Sequence, residues 1–416
     1  MTALILQTAA KRAILNADVI RVTPREMRQL QSEEEIVLAI SLPSNCSITT
    51  MTLERMDAAA LQAAVHKAGE SWLAEQSELS ELSDADKRLR LGANPPEGEA
   101  SLEDRERAAA INREAAGLTA VGAPASFDLR NVGGGNFITP VKDQGSCGSC
   151  VAFGSVATVE GTYRRQLNNP TFAVDLSEAH LFYCIARAQG RNCSNGWWCD
   201  KGLDAFKTDG VVDEACYPYV AGDQNCSNRC ADWQNRLTRI SGWRTLTSVS
   251  DMKEWIATKG PLSCAFSVYN DFYSYRSGVY RHVSGAFAGG HCVSCIGYND
   301  AGRYWICKNS WGSKWGEKGF FRIGYGECGI DAQMWAVDGI IETLWINGAK
   351  VLGLWAIDQE RNAWVYLDKG IGWRRIAFDS DVIFADMLTV LSSAKLTKSS
   401  VNVYLDKGVI AQAYVF

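Results

Sequence analysis

One cysteine of this chain lies in a setting that favours nucleophilic chemistry. The sequence runs Gln144-Gly-Ser-Cys-Gly-Ser-Cys150, and residues 151–166 have the pattern of a helix. Cys150 would then stand at the positive end of the helix dipole. The thiolate is the nucleophile, and a free cysteine with a pKa near about 8.5 is mostly protonated at neutral pH. Because the helix start lowers that pKa, the motif predicts a reactive thiol.

A base and an orienting group follow further along the chain. His291, one of only four histidines, comes about 140 residues after Cys150 and directly after two glycines, and Asn309 comes after it. As an imidazolium, His291 would hold the thiolate as an ion pair and later give its proton to a leaving amine. The Asn309 carbonyl would orient the ring. These residue types in this order predict covalent catalysis by a thiol.

The three segments together resemble the papain-like cysteine proteases. The resemblance covers roughly residues 123–338 and extends to Tyr217-Pro-Tyr219 and Trp315-Gly-Glu-Lys-Gly-Phe320. It implies an α+β fold of two lobes, in which a helical lobe carries the cysteine and a β-barrel-like lobe carries the histidine and asparagine. Strand-like patterns at 304–308 and 320–324 agree with the second lobe. The activity it implies is endopeptidase hydrolysis of polypeptides through a Cys150 thioester.

The same resemblance assigns further residues to the cleft. The Gln144 side-chain NH₂ and the Cys150 backbone N–H would hold the oxyanion of the tetrahedral intermediate. Trp311 would shield the contact between Asn309 and His291. The substrate-binding residues that it implies are Gly196, Trp197, Trp198, Trp311 and Gln333. We expect a hydrophobic or mixed preference for the second residue before the cut.

Two alternatives use the same scaffold. A catalytically silent protein that binds or adheres would be favoured by loss of a catalytic group, and none is lost. An acyl-transferring relative would pass the acyl group to an amine instead of water, and the sequence does not separate it from a hydrolase. The sequence indicates no cofactor. The formal net charge of −5 and the lack of a basic stripe disfavour nucleic-acid binding, and no apolar run predicts a membrane span.

Fourteen cysteines indicate partial use of disulfides. Without the nucleophile thirteen remain, so at least one other thiol is unpaired or intermolecular. The resemblance implies the disulfides Cys147–Cys193 and Cys184–Cys226, and one further bridge is expected among Cys199, Cys216 and Cys230. Zinc is the alternative, but Cys-x-x-Cys pairs do not recur at ligand spacing, so no metal site is predicted. Disulfides imply a secreted or otherwise extracytoplasmic protein, although the first residues form no clear signal peptide.

Residues 1–122 form an acidic leader with nineteen acidic and thirteen basic side chains. We predict a mixed structure with strands at 19–22 and 35–42, a helix at 53–73 and a second helix that starts at Ser101 with a capping box. The resemblance favours a propeptide that occupies the active-site cleft in cis and is released near residues 117–123. The alternative is a permanent accessory domain. The peptidase domain itself would span 123–339.

Residues 340–416 predict a small all-β domain. Alternation around Asn347-Gly348 is typical of a hairpin, and the hexapeptide Val-Tyr-Leu-Asp-Lys-Gly at 365–370 and 403–408 indicates two similar strand-turn units. The domain is rich in aromatic residues, namely Trp355, Trp364, Tyr366 and Trp373. We expect them to fill the core of the domain; the alternative is binding of a carbohydrate or a surface partner.

Overall fold

The computed structural model describes residues 57–115, 122–341, 344–356, 362–368, 371–377, 380–406 and 408–415. The helices are α1 (Ala58–Lys67), α2 (Asp84–Arg88), α3 (Leu102–Ala110), α4 (Asn112–Ala115), α5 (Cys150–Gln166), α6 (Cys199–Thr208), α7 (Val249–Thr258) and α8 (Asp381–Thr397). The strands are β1 (Leu73–Ala74), β2 (Ser126–Asp128), β3 (Arg239–Leu246), β4 (Leu262–Tyr269), β5 (Tyr275–Ser277), β6 (Val279–Tyr280), β7 (Phe287–Asn299), β8 (Tyr304–Lys308), β9 (Phe320–Gly324), β10 (Met334–Ile341), β11 (Leu344–Ala356), β12 (Ala363–Leu367), β13 (Gly372–Arg375), β14 (Ser400–Asp406) and β15 (Val409–Val415). The strands predicted at 19–22 and 35–42 lie outside the described residues.

Helix α5 is the central element of the helical lobe. Its residues 150–163 are all buried, because it packs against β7, β10 and α6. Small and apolar residues around the whole circumference are typical of a helix buried in this way. The packing fixes the first residue of α5, Cys150, at the boundary between the two lobes.

Disulfides tie the irregular segments of the helical lobe together. The pairs are Cys147–Cys193, Cys184–Cys226 and Cys216–Cys230. The first of them joins the turn before Cys150 to the segment that leads to Gly196. The other described cysteines are free thiols, and all of them are buried.

The β lobe is built on one antiparallel sheet whose order is β3-β10-β4-β7-β8-β9-β6, with β2 paired to β7 and only β6 parallel to its neighbour. Strand β7 lies near the middle and carries His291, and β8 leads directly into Asn309. Strands β8 and β9 have the bounds that the sequence predicts. Among the described strands the two ends of the order do not pair, so the sheet is open rather than a closed barrel.

Residues 57–115 of the leader and the C-terminal domain supply the remaining elements. Helix α3 begins as predicted, since Ser101 and Asp104 form a capping box, whereas the helix predicted at 53–73 is shorter and is followed by strand β1. Helix α1 packs Leu61 and Val65 into the core of the β lobe together with Trp72. In the described part of the chain no helix is long and apolar enough to cross a membrane.

The C-terminal domain is not all-β, which corrects the prediction. Its sheet has the order β13-β12-β11-β14-β15, and helix α8 packs on one face of it. Met387, Leu391 and Ala394, at helical spacing, face the sheet and are buried. A single sheet needs such a cover to bury an apolar face. The sequence prediction relied on the Asn-Gly turn and on the repeated hexapeptide, and it overlooked the helical spacing of these three residues.

The hairpin predicted at Asn347-Gly348 is also wrong. Strand β11 runs through both residues and pairs with β14 before them and after them, with a shift of register between Ile346 and Ala349. Gly348 has a φ of 65°, which suits a bulge. The second half of β11 then pairs with β12. The Asn-Gly pair therefore bends one long strand instead of reversing the chain.

The aromatic residues of this domain do not fill its core, contrary to expectation. Trp355, Tyr366 and Trp373 are between 39% and 48% exposed on the sheet face opposite α8. The buried residues of β12 are the alternate ones, Ala363, Val365 and Leu367, which face the helix. Because side chains alternate along a strand, a core of small aliphatic residues leaves the aromatic residues on the open face.

Candidate active site

Cys150 begins α5 and its side chain is completely buried. The position at the helix start is the predicted one, but the solvent exposure that a substrate would need is absent. The cover comes from residues 57–115 of the leader, which cross the cleft between the lobes.

The leader backbone at residues 90–94 bridges the two lobes above Cys150. On the β-lobe side, the Gly92 and Ala93 N–H groups donate to the Gly290 carbonyl, each at 3.0 Å. On the helical-lobe side, the Gly92 carbonyl accepts from the Trp197 N–H at 2.7 Å, and the Asn94 N–H donates to the Trp197 carbonyl at 2.9 Å. The leader pairs with Trp197 as a short parallel strand would. It therefore occupies the place where an extended peptide would bind.

Close approach of backbones explains why residue 92 is a glycine. A Cβ atom built on Gly92 would lie 2.1 Å from the carbonyl oxygen of Gly148, and one built on Gly196 would lie 2.1 Å from the carbonyl oxygen of Gly92. Both obstacles are backbone atoms, which cannot swing aside. The leader can therefore reach the floor of the cleft only without a side chain at this point.

A Gly92→Ala substitution should loosen the leader and expose Cys150. We expect alkylation of Cys150 in the full chain to accelerate at least about threefold, because the added Cβ excludes the observed path. Rates of modification, followed by peptide mass mapping, measure the effect. Glu97→Ala, at an exposed leader position, is the matched control and should leave the rate unchanged. Equal rates for the two variants would contradict the close packing at Gly92.

His291 and Asn309 meet in the predicted pairing. His291 Nε2 lies 2.7 Å from Asn309 Oδ1, so the protonated Nε2 donates and Asn309 accepts. His291 Nδ1 is buried and has no hydrogen-bond partner within the described residues. In this tautomer the neutral ring keeps Nδ1 as its free base.

Burial sets the charge state of the covered site. It raises the pKa of the Cys150 thiol well above its usual range, and the neighbouring Cys292 adds to the effect. It lowers the pKa of His291 to about 4, an effect that the hydrogen bond to Asn309 partly opposes. Both groups are therefore neutral at neutral pH in the covered form. The predicted thiolate–imidazolium pair does not describe this state, because the leader removes the water that would solvate the two charges.

Gln144 is held on both ends of its side-chain amide. Its Oε1 accepts from the Ser310 hydroxyl at 2.6 Å, and its Nε2 donates to the carbonyl of Cys147 at 2.8 Å. A further contact runs from Nε2 to the carbonyl of Arg90 in the leader at 3.1 Å. The amide thus already presents a donor to a peptide carbonyl next to Cys150, which is the task expected of an oxyanion hole.

The predicted substrate-binding residues are distributed unevenly. Gly196 and Trp197 contact the leader backbone directly, as described above. Trp311 packs on the His291 ring with 4.8 Å between centroids and stacks on Tyr273 at 5.0 Å. Gln333 is only half-buried, and no hydrogen bond joins it to the leader among the described residues. Trp198 contacts the leader through a side chain that the sequence analysis did not single out, that of Arg105.

The leader residues that contact the site were missed by the sequence analysis. Arg90, Gly92 and Arg105 belong to no motif, and a lone glycine before a proline-containing loop is a weak signal. Within the described residues no group of three histidine, cysteine or acidic side chains is arranged to hold a metal ion.

A buried cysteine at a helix start, a histidine–asparagine pair and an amide donor, placed between a helical lobe and a β lobe, define a cysteine peptidase. Residues 123–337 match the family described as papain family cysteine protease. The chain belongs to the papain family.

Relatives and solved structures agree with this assignment. The chain is 40% identical over 231 residues to a cathepsin B-like CP3 of Giardia intestinalis, which covers 52% of this chain and 75% of the relative. The structure of a digestive procathepsin L2 proteinase of Tenebrio molitor larval midgut is similar at 29% identity and a TM-score of 0.52, over 66% of this chain and 87% of that one. A proCathepsin B S9 of Trypanosoma congolense, at 24% identity and a TM-score of 0.55 over 68% of this chain and 98% of that one, shares the fold.

Proposed function

We propose that this cysteine peptidase is an endopeptidase made as a zymogen, with Cys150 as its nucleophile and the leader as its propeptide. The observation that carries the proposal is the leader backbone at residues 90–94, hydrogen-bonded to both lobes directly over Cys150. Two of the similar solved structures are procathepsins by name. These contacts and those names support a latent form in which the leader lies where an extended substrate binds after the leader is removed.

The first half of the proposed reaction starts from the neutral Cys150 and His291 described above. After removal of the leader, water returns to the cleft and the desolvation that keeps Cys150 and His291 neutral falls. A proton moves from Cys150 Sγ to His291 Nδ1, and the thiolate attacks the peptide carbonyl carbon. The carbonyl oxygen, now negative, accepts from Gln144 Nε2 and from the Cys150 N–H.

The second half of the reaction uses the same groups in reverse. The imidazolium at His291 gives its proton to the leaving amine, and a thioester to Cys150 remains. Water then attacks the thioester while His291 Nδ1 takes one of its protons, and the carboxylic acid product leaves as Cys150 is regenerated. Asn309 Oδ1 accepts from Nε2 of the ring, which leaves Nδ1 available to exchange the proton with the sulfur. The disulfides of the helical lobe support an oxidising, extracytoplasmic compartment for this enzyme.

Cleavage between the leader and the peptidase domain should activate the protein. The test uses the full chain with a site-specific protease sequence placed between Ala115 and Gly122, so that folding takes place with the leader attached. After cleavage and removal of the leader by gel filtration, we expect kcat/KM on fluorogenic peptides to rise at least about tenfold, because only molecules with an open cleft bind substrate. An epoxide that traps thiols should label Cys150 faster in the same sample.

The outcomes separate the proposal from its rivals. Equal activity before and after cleavage would contradict the role of the leader as a propeptide but would leave the peptidase function supported. A folded, leader-free protein that neither hydrolyses peptides nor reacts at Cys150 would instead support a silent binding scaffold. Product analysis with an added amine distinguishes acyl transfer, which would form the new amide at the expense of the free acid.

A further inference from the structure

Two buried thiols from different lobes lie against each other near the cleft. Cys199 is the first residue of α6, and Cys292 lies in β7 directly after His291. Their Sγ atoms are 2.9 Å apart, which is only about 0.9 Å more than the length of a disulfide bond. Both side chains are completely buried. Neither thiol has a role in the proposed catalysis, so their contact needs a separate explanation.

The sulfur of Cys292 lies in the core of the helical lobe rather than in that of its own sheet. It packs in the same apolar core as Cys199, whereas the next residue, Val293, belongs to the core of the β lobe. A Cβ atom built on Gly154 of α5 would lie only 2.7 Å from the Cys292 sulfur, so the missing side chain makes room for it. The Ser263 hydroxyl is further away than the Cys199 sulfur, at 3.4 Å. Cys292 is therefore placed for a bond to Cys199 across the boundary between the lobes.

The leader already joins the two segments that carry these thiols. Its backbone at residues 92–94 is hydrogen-bonded to Gly290 of β7 and to Trp197, which precedes α6. Cys292 comes two residues after Gly290, and Cys199 comes two residues after Trp197. A bond between the two sulfurs would thus connect the lobes beside the bridge that the leader makes, and it would remain when the leader is removed.

We propose that Cys199 and Cys292 are a disulfide-forming site, and that their bond keeps the two lobes joined after the leader has gone. The three disulfides of the structure all lie within the helical lobe, so this bond would add a covalent link between the lobes. The oxidant is a small-molecule disulfide of an extracytoplasmic compartment, of the class of oxidised glutathione. Formation of the bond does not depend on the proposed function; its role after removal of the leader does.

The bond forms by thiol–disulfide exchange in two steps. The thiolate of Cys199, at the start of α6, attacks one sulfur of the oxidant, whose S–S bond breaks. One small thiolate leaves, and a mixed disulfide remains on Cys199. The thiolate of Cys292 then attacks the Cys199 sulfur, which forms the new bond and releases the second small thiolate. The protons of the two cysteines end on the two released thiolates, so two protein thiols are oxidised and one small disulfide is reduced.

Burial determines when this exchange can take place. It raises the pKa of the Cys199 thiol well above its usual range, and the neighbouring Cys292 adds to the effect. Exchange needs a thiolate that the oxidant can reach. We therefore expect the bond to form during folding, before the lobes close over the two sulfurs, and not in the closed protein.

Peptide mass mapping tests the bond directly. The full chain is produced in an oxidising secretory compartment, its free thiols are alkylated under denaturing conditions, and its peptides are mapped without reduction. We expect a linked pair of peptides that contain Cys199 and Cys292 in most molecules, beside the three disulfides of the structure. Alkylation of both residues in most molecules would overturn the proposal, because only a contact between thiols would remain. A link from either residue to Cys150 would overturn it as well.

Thermal unfolding of the leader-free protein, cleaved after folding, gives the second readout. A disulfide between residues 93 positions apart restricts the unfolded chain. We expect Cys199→Ala to lower Tm by about 5 °C or more. Cys292→Ala should have the same effect, and the double substitution should lower Tm little further, because either single substitution already removes the bond. Additive losses would overturn the proposed role.

The matched control is Cys264→Ala. Cys264 is a buried free thiol of β4, so its replacement reports the loss of a buried sulfur atom without the loss of a bond. Its effect on Tm should be at most about a third of that of Cys199→Ala, and an equal effect would overturn the role of the link. If the variants do not fold, mass mapping of the parent still decides whether the bond forms. Neither readout uses hydrolysis, so a protein that carries the bond but cleaves no peptide would contradict the peptidase function alone.

Discussion

Replacement of Cys150 by alanine should lower kcat/KM of the leader-free protein by at least about 10⁴-fold. Without the sulfur no thioester forms, and the remaining groups can only orient water and stabilise the oxyanion. The fold should survive, because alanine is tolerated at the start of a helix and the buried site loses a single atom. Hydrolysis of a fluorogenic peptide by the cleaved protein, with circular dichroism as the check on folding, measures the effect.

A second buried thiol provides the matched control. Cys264 lies in β4, is a free thiol and is equally inaccessible, but it takes no part in the proposed chemistry. Cys264→Ala should keep activity within about threefold of the parent. If Cys150→Ala retained activity comparable with Cys264→Ala, the nucleophile would have to be another residue, and the epoxide label would identify it.

The covered site shows how one segment can keep both catalytic groups inactive. The leader excludes water, which raises the pKa of the Cys150 thiol and lowers that of His291 to about 4, and the positive charge of its Arg90 adds to the effect on His291. Both changes favour the uncharged pair. Latency in this interpretation is a matter of solvation as well as of steric blockage, and uncovering the cleft reverses both at once.

Local chemistry explains why the catalytic constellation could be predicted from the sequence. A nucleophile at a helix start needs the turn that Gly145 and Gly148 allow, and the histidine and asparagine each stand at a fixed place on a strand or just after one. Strands β8 and β9 are short segments rich in apolar residues, and Ser101 with Asp104 gives an unambiguous helix start. Each of these signals lies within a few neighbouring residues, so it can be recognised from one sequence alone.

The parts that were missed depend on contacts between distant segments. The position of Gly92 over Cys150 is fixed by its contacts with Gly148, Gly196 and Gly290. No pattern within a few consecutive residues predicts these long-range contacts. The Asn347-Gly348 pair is a good hairpin turn in isolation, but β14 and β12 pair with the two halves of one strand and impose a bulge instead. Tertiary pairing overrode a local preference there.

Replacement of Gln144 by alanine should lower kcat of the leader-free enzyme about 10²- to 10³-fold with little change in KM. The amide donates to a leader carbonyl in the covered form and, we propose, to the substrate oxygen as it becomes negative. An interaction that strengthens in the transition state affects kcat rather than substrate binding. Steady-state kinetics on one peptide, with burst analysis to separate acylation from thioester hydrolysis, provides the measurement.

Two variants distinguish a donor to the oxyanion from a purely structural amide. Ser310→Ala removes the hydroxyl that positions Gln144 Oε1 but leaves Nε2 in place, so its loss of kcat should be at least about tenfold smaller than that of Gln144→Ala. Gln144→Glu keeps the shape of the side chain and replaces the donor with a negative charge, so it should be at least as damaging as alanine. A Glu variant more active than the alanine variant would contradict the role, because a carboxylate beside a developing oxyanion can only raise the barrier.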